Sequence, residues 1–356
     1  MGSLGSPVIL LTSMLPKDTE YQMPKKDDPI DVAASMELLK TSLQERQSRV
    51  NSADPPPAHE VLREEPRWGV HDDVPFWSYL QWDAFGSGTV RKIGRSPAHL
   101  RSYLDNASDI SAAKARMGSA VHACVLEPDT EWARYYPLPE GVDRRSKIYK
   151  EAVIEFGKEF VLRSDEYSAV LQMRDKLFGH SRLARILKAG RPEISFAWED
   201  EDTGLPLKGR ADWISDLIPG GCVLDLKTTT DAREHRFRRI ATDFDYAMQG
   251  SHYTAGLQAW EEQVEHYVIA AIETEPPFEI TLFQIATSDM MIANETWRGH
   301  LELLAHCVET EEWPGYAEQT QVLHMGPYWQ TDMRTRVAEI AETLRDAKPQ
   351  RREATK

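Results

Sequence analysis

Three charged residues around a turn have the types and the spacing that phosphodiester hydrolysis needs. Asp212 precedes the Pro-Gly-Gly turn at residues 219–221, and Asp225 and Lys227 follow it. Such a turn predicts that the flanking stretches pair as a hairpin, which brings Asp212 close to Asp225. Neighbouring carboxylates repel each other unless a cation lies between them, and hard oxygen ligands suit Mg²⁺ or Mn²⁺. Lys227 would orient the attacking water or stabilise charge on the phosphate.

The stretch that contains the second acid has the composition of a buried strand. Val223, Leu224 and Leu226 are apolar residues with a preference for β-structure. Because side chains alternate along a strand, Asp225 and Lys227 are predicted to share one face, and the two leucines the other. A carboxylate and an ammonium group are costly to bury without partners. The alternative interpretation is that these residues form two surface salt bridges on a polar hairpin. It is the better interpretation of any one of these acids, but not of the whole set.

The ordered set of polar residues resembles a known superfamily. It contains one acid, an Arg-x-Asp motif, an Asp-x-Lys motif and a Gln-x-x-x-Tyr motif, formed by Glu193, Arg210, Asp212, Asp225, Lys227, Gln249 and Tyr253. This pattern is similar to the PD-(D/E)XK nucleases, and more closely to the branch that contains the RecE-type exonuclease (exodeoxyribonuclease VIII) and its phage relatives. Leu224 stands where the superfamily has its proline, and the third acid is displaced. The resemblance covers about residues 70–318, including 117–128 and 313–316.

The resemblance implies a metal centre built partly from a helix. His122 lies on an otherwise apolar helical stretch, where a histidine is ordinarily a satisfied core residue. In the related nucleases the histidine of this motif reaches the metal, so His122, Asp212 and Asp225 are the expected ligands. The Leu226 carbonyl is a further expected ligand. The implied cofactor is Mg²⁺, with Mn²⁺ as a substitute.

The resemblance also implies the fold and the supporting residues of the site. The fold class is α/β: a mixed central sheet flanked by helices, of the restriction-endonuclease-like type, with the catalytic strands in its middle. Lys227 is expected to act on the attacking water, and its replacement by alanine to abolish cleavage and spare folding. Glu193, Gln249 and Tyr253 are expected to support the site, and Glu193 to do so by completing the acidic group or by binding metal through water. The alternatives are an edge-strand acid for Glu193 and an ordinary polar helix face for the other two.

By resemblance, the expected activity is 5′→3′ exonuclease cleavage of linear double-stranded DNA in phage-type recombination. Relatives in this branch form rings, so a homo-oligomeric ring and a single-strand annealing protein as partner are implied. Three alternatives stay open: a single-strand exonuclease, a structure-specific endonuclease, and a catalytically silent DNA-binding or assembly protein. The same metal site serves all of these nucleases, so the motif does not separate them.

Charge and cysteine content narrow the class of protein further. The net charge of −15 over 356 residues counts against broad non-specific DNA binding. Three separated cysteines fit free thiols in a reducing cytoplasm, and no apolar run is long enough to span a membrane. We therefore predict a cytoplasmic protein without membrane contact.

Three local basic clusters are candidates for a DNA path. Their members are Arg91, Lys92, Arg95 and Arg101; Arg144, Arg145, Lys147 and Lys150; and Arg233, Arg236, Arg238 and Arg239. Ser96 followed by Pro97 is typical of a helix start, and a helix N-terminus can hold a phosphate. Ser96 and Arg101 at this helix are individual DNA-binding candidates, and Arg210 of the Arg-x-Asp motif is a third.

The coarse organisation follows from composition and periodicity. Residues 1–65 are predicted to be a flexible extension with one amphipathic helix at 31–48, residues 66–346 a nuclease domain, and residues 347–356 a polar tail. Helices are predicted over 111–126, 145–190, 234–263, 288–310 and 331–346, and strands from 193, over the hairpin 205–228, and over 265–273 and 278–286.

Overall fold

The computed structural model of the protein describes residues 64–105, 116–316 and 318–346. Several predictions on the chain lie outside these residues: the helix at 31–48, nearly all of the extension 1–65, positions 111–115 of one helix, and the tail 347–356. The described residues form two compact units, one ending at Pro314 and the other beginning at Gly315. The predicted domain boundaries stay predictions.

A mixed seven-stranded sheet forms the centre of the first unit in the part of the chain that is described. The strands of this sheet are β1 (Gly69–His71), β2 (Phe85–Gly86), β5 (Arg191–Glu199), β6 (Pro206–Ser215), β7 (Cys222–Thr229), β8 (His266–Glu273) and β9 (Ile280–Gln284). Their order is β1-β5-β6-β7-β8-β9, with β2 paired to β6. The β7–β8 and β2–β6 pairs are parallel and the others are antiparallel. This mixed sheet confirms the predicted α/β fold class.

Helices cover both faces of the sheet. In the first unit they are α1 (Phe76–Gln81), α2 (Ser87–Ile93), α3 (Pro97–Asp105), α4 (Arg116–Leu126), α5 (Lys147–Phe156), α6 (Ser164–Gly179), α7 (Ser181–Ile186), α8 (Glu234–Asp243), α9 (Tyr246–Gln258) and α10 (Thr287–Thr310). A small second sheet pairs β3 (Tyr136–Pro137) with β4 (Val161–Leu162). The second unit contains α11 (Pro327–Asp346). Within the described ranges, the helices lack a segment of the length and apolarity needed to cross a bilayer.

Two predicted helices are interrupted. The stretch 145–190 contains α5, β4, α6 and α7, because Gly157 leaves the helical conformation at φ 85° and β4 pairs with β3. The stretch 234–263 contains α8 and α9, because Asp245 adopts the left-handed conformation at φ 49°. The prediction of one long helix over 234–263 was wrong at Asp245, and the helical prediction for 145–190 was wrong at Gly157 and β4.

The alternation of β7 builds a separate core on each face of the sheet. Val223 belongs to the core on one face, which also contains Tyr253 of α9 and Trp297 of α10. Leu224 and Leu226 pack on the other face, in the core that contains α4 and α6. The predicted opposite orientation of the two leucines and Asp225 is confirmed, since Asp225 contacts α9.

Candidate active site

The β6–β7 hairpin brings the two predicted acids together. Backbone pairing runs from Ser215↔Cys222 to Trp213↔Leu224, so the next opposed positions are Asp212 and Asp225. The turn needs glycine, because a Cβ on Gly221 (φ 68°) would lie 1.8 Å from the Gln263 carbonyl oxygen. The predicted hairpin is confirmed.

Strand β5, on the other side of β6, has an irregular backbone conformation opposite Asp212. The pairs Pro192↔Trp213 and Ile194↔Ala211 flank Glu193, which therefore opposes Asp212. Glu193 has φ 52°, a left-handed conformation that side chains rarely adopt. Strained backbone of this kind persists where the surrounding structure fixes it, often at functional sites. Three strands thus place three carboxylates side by side.

A histidine from α4 completes a group of potential metal ligands. His122, Glu193 and Asp212 each offer one ligand atom, and these atoms lie within 4.8 Å of one another. His122 Nε2 lies 2.6 Å from the Leu226 carbonyl oxygen, and Nδ1 lies 3.6 Å from Asp212 Oδ2. When Nε2 donates its proton to this carbonyl, the Nδ1 lone pair faces the carboxylate, as in histidines that bind metal. Burial lowers the pKa of His122 and so favours this neutral form.

The metal ligands predicted from the sequence are only partly the same residues as this group. Glu193, expected to complete or support the acidic site, belongs to the group, while Asp225 does not. The Leu226 carbonyl faces His122, and the Leu226 N–H donates to Asp212 Oδ2 at 2.7 Å. Metal binding by His122, Asp212, Asp225 and Leu226 stays a prediction.

Asp225 is the centre of a second polar group on the α9 face. Its side chain is 1% exposed, and Oδ2 lies 2.5 Å from Lys227 Nζ. Gln249 Nε2 lies 3.2 Å from Asp225 Oδ1 and 3.1 Å from the Tyr253 hydroxyl oxygen. The Lys227 ammonium also lies 5.0 Å from the centre of the Tyr246 ring. Asp225, Lys227, Gln249 and Tyr253, all predicted from the sequence, therefore form one network of polar contacts.

The electrostatics of the site favour an added cation. Burial raises the pKa of Asp212, and the charge of Asp225 raises it further. Burial also raises the pKa of Glu193, and Asp212 adds to the rise. Burial would lower the pKa of Lys227, but the charges of Asp225 and Asp212 outweigh it and raise the pKa. A divalent ion would relieve the repulsion among these carboxylates, whose oxygens are donors that fit Mg²⁺ or Mn²⁺.

Arg210 lies beside these carboxylates, inside the protein. It is 8% exposed, and its guanidinium donates to Glu193 and Glu127 and to two further oxygens. Burial raises the pKa of Glu127 to about 7, and the charge of Glu193 adds to this rise, which Arg210 opposes. DNA contact by Arg210 stays a prediction, and its contacts here are with the protein.

The other two DNA-binding candidates lie at α3. Ser96 Oγ accepts a hydrogen bond from the His99 backbone N–H, which confirms Ser96 at the helix start, but Ser96 is buried. Arg101 pairs with Asp105 at 3.1 Å and lies 3.9 Å from Glu311. Their roles with DNA stay predictions.

Sequence reasoning left two contact residues of the site without a role. Tyr246 packs against Lys227 and lies three residues before Gln249, so helical spacing signals its position on the same face. Glu127 lies within the upstream motif at 117–128, but no local pattern indicates that it contacts Arg210, 83 residues away.

The chain matches one protein family and is similar to solved structures. The family model described as "PDDEXK-like domain of unknown function (DUF3799)" matches residues 86–325. A Eubacterium rectale structure described as "Putative exonuclease" is 13% identical, with a TM-score of 0.48, over 68% of this chain and 90% of that chain. The structure of SSO0001 is 15% identical, with a TM-score of 0.29, over 76% of this chain and 86% of that chain. No curated protein matches. Since the family model spans most of the chain, the protein belongs to this PDDEXK-like family.

Proposed function

We propose that the protein is a Mg²⁺-dependent deoxyribonuclease. One observation carries the proposal: His122, Glu193 and Asp212 offer ligand atoms within 4.8 Å of one another, beside an Asp225–Lys227 ion pair. Membership of a PDDEXK-like family supports nuclease activity and DNA as the substrate. An ordinary surface salt bridge would not require Asp225 to be fully buried.

The residues of the chain have separate tasks in this proposal. His122, Glu193, Asp212 and Asp225 would hold the ion, which supplies Lewis-acid polarisation of the phosphate and a lowered water pKa when bound. Lys227 donates hydrogen bonds to the attacking water or to the developing negative charge on the phosphate.

Two residues of α9 position this lysine through its carboxylate partner. Gln249 donates to Asp225, and its amide nitrogen also lies 3.1 Å from the Tyr253 hydroxyl oxygen, so both side chains restrain the ion pair. Because Lys227 is 20% exposed while Asp225 is 1% exposed, the ammonium group is the member of the pair that a substrate reaches.

The arginines around α8 support a DNA path next to the site. Arg233, Arg236 and Arg238 have side chains 69%, 54% and 71% exposed, and they follow β7 directly in the chain. Their carboxylate partners are Asp231 and Glu234, with which the phosphates of a bound DNA would compete for these arginines.

The finer assignment is a 5′→3′ exonuclease on linear double-stranded DNA in phage-type recombination. Its support is the ordered motif set, which resembles the RecE-type branch. The same resemblance supports a ring-shaped homo-oligomer, Mn²⁺ as a substitute ion, and a single-strand annealing protein as partner.

Digestion of labelled DNA tests the proposal. A linear duplex with labelled 5′ ends and a covalently closed circle are incubated with Mg²⁺, Mn²⁺ or EDTA. We expect metal-dependent release of 5′ nucleotides from the linear form and an intact circle. Asp212→Asn should be inactive, while Asp216→Asn, at an exposed position beyond β6 on the same hairpin, should retain wild-type activity.

Other outcomes select among the alternatives. Cutting of the circle would indicate an endonuclease, and cutting of single-stranded or branched DNA alone would indicate the corresponding nuclease. Binding of all these substrates without cleavage in either metal would contradict a nuclease and support a silent DNA-binding protein.

A further inference from the structure

The Arg210 side chain on β6 is surrounded by protein oxygens. Its Nε lies 2.6 Å from Glu193 Oε2, one terminal nitrogen lies 2.7 Å from both Ser195 Oγ and the Val74 carbonyl oxygen, and the other lies 3.2 Å from Glu127 Oε1. The side chain is only 7% exposed. A buried guanidinium with this many partners is fixed in one orientation, since its donors form a rigid planar fork.

Glu193 links this network to the potential metal ligands. The same carboxylate bonds to Arg210 and belongs to the group with His122 and Asp212. Its backbone is held in a left-handed conformation, so the residue does not relax to this geometry by its own preference. The bond from Arg210 therefore restrains a ligand whose main chain is strained.

We propose that Arg210 is a positioning residue that sets the metal affinity of the site by holding Glu193, rather than a DNA-binding residue. The inference rests on the proposed metal-dependent function. Through Glu127 and Val74, the same guanidinium also ties the end of α4 and the segment before α1 to this carboxylate. Partners that orient metal ligands typically change metal affinity 10- to 100-fold when they are replaced.

The chain offers a matched control for the substitution Arg210→Lys. Arg298 of α10 is also partly buried, 24% exposed, and bonds to two carboxylates, Asp200 and Asp202, at the turn after β5. This turn is at the opposite end of β5 from Glu193. Arg298→Lys therefore removes an arginine–carboxylate fork of the same kind without touching the proposed ligands.

Calorimetric titration with Mn²⁺ in the absence of DNA tests the inference. We expect Arg210→Lys to bind Mn²⁺ about 10- to 100-fold more weakly than wild type and Arg298→Lys to bind within about twofold. Binding of labelled duplex in EDTA should be unchanged by Arg210→Lys. Cleavage by this variant should recover at high Mn²⁺ concentration, because the ligands themselves are present.

Two results would overturn the inference. One is wild-type Mn²⁺ affinity in folded Arg210→Lys; the other is weakened duplex binding in EDTA with unchanged Mn²⁺ affinity, which would make Arg210 a DNA contact. If Arg210→Lys does not fold, Ser195→Ala and Glu127→Gln replace it, each removing one support. Both should weaken Mn²⁺ binding severalfold, and no change in either would also reject the inference.

Failure of the proposed function has a different signature. A wild-type protein that binds Mn²⁺ but cleaves no DNA contradicts the nuclease proposal, while an Mn²⁺ affinity that depends on Arg210 in that protein still supports the positioning role.

Discussion

Asp212 and Asp225 occupy opposed positions on neighbouring strands, but their surroundings differ. Asp212 accepts a hydrogen bond from a backbone N–H and lies near a neutral histidine and Glu193. Asp225 is fully buried and has the Lys227 ammonium 2.5 Å away. Asp225 therefore has a cation in direct contact, whereas the contacts of Asp212 are a backbone N–H and a neutral imidazole.

The difference separates the part of the site that favours a cation from the part that carries a charged lysine. The surplus negative charge lies on the Glu193 and Asp212 side, where burial and mutual repulsion raise both pKa values. An added cation is most strongly favoured on that side. The Asp225 side keeps a lysine charged, because the raised pKa of Lys227 preserves its ammonium form.

The largest expected effect follows from replacing the acid that lacks a cation in direct contact. Asp212→Asn should weaken Mn²⁺ binding strongly and reduce cleavage by at least about 10³-fold. Without metal at pH 7 the same variant should unfold at a higher temperature, because a carboxylate with a raised pKa is costly to bury in its charged form. Calorimetry, cleavage rates and thermal melts check this. If metal-free Asp212→Asn unfolds at a lower temperature than wild type, the proposed difference between Asp212 and Asp225 is wrong.

Removal of the cation beside Asp225 should have the opposite effect on stability. Lys227→Ala leaves the buried carboxylate of Asp225 without a counter-ion, which costs about 3–5 kcal/mol of unfolding free energy. This revises the sequence-based expectation that the substitution spares folding. Urea unfolding provides the measurement, and Lys227→Arg, which keeps the charge, serves as the control. An unchanged unfolding free energy in the alanine variant would mean that Asp225 does not depend on this cation.

A fall in pH should lower the free energy of unfolding through His252 of α9, the helix that contacts Asp225. His252 is fully buried; Trp297 donates to its Nδ1, Nε2 lies 2.9 Å from the Lys208 carbonyl oxygen, and burial lowers its pKa from 6.5 to about 4. Between these two pH values the unfolded chain binds a proton that the folded chain excludes. The stabilisation is complete above pH 6.5 and decreases by about 3 kcal/mol as the pH falls to 4.

Unfolding free energies between pH 4 and 7 check this decrease. His252→Gln retains a donor and an acceptor but does not titrate, so its pH dependence should be shallower than that of wild type by the same amount. Parallel pH curves for the two proteins would show that His252 does not couple to folding.

The smallest effect is expected at the residue that restrains Asp225. Gln249→Leu removes the bond to Asp225 and should lower cleavage about tenfold. Gln258→Leu, at an exposed position of the same helix, is the control. Rates under saturating metal measure the effect, and an equal loss in both variants would remove Gln249 from the site.

The sequence alone was sufficient wherever the signal was local. Alternation in residues 222–228 and the Pro-Gly-Gly turn predicted the β6–β7 hairpin, and helical spacing placed Gln249 and Tyr253 on one face. Breaks that depend on one residue's backbone conformation, such as that at Asp245, were missed because the apolar periodicity continues through them.

The sequence by itself determined which acids and which lysine meet, since pairing register and side-chain alternation follow from short stretches of chain. The resemblance implied that His122 and Asp212 meet, but only the tertiary structure showed that Glu193 joins them within 4.8 Å and that Arg210 is directed inward to Glu193. The physical reason is the separation of the contacts along the chain: His122 bonds to a carbonyl 104 residues away, and Arg210 to one 136 residues away. Such contacts depend on how helices and strands pack, which no local pattern specifies.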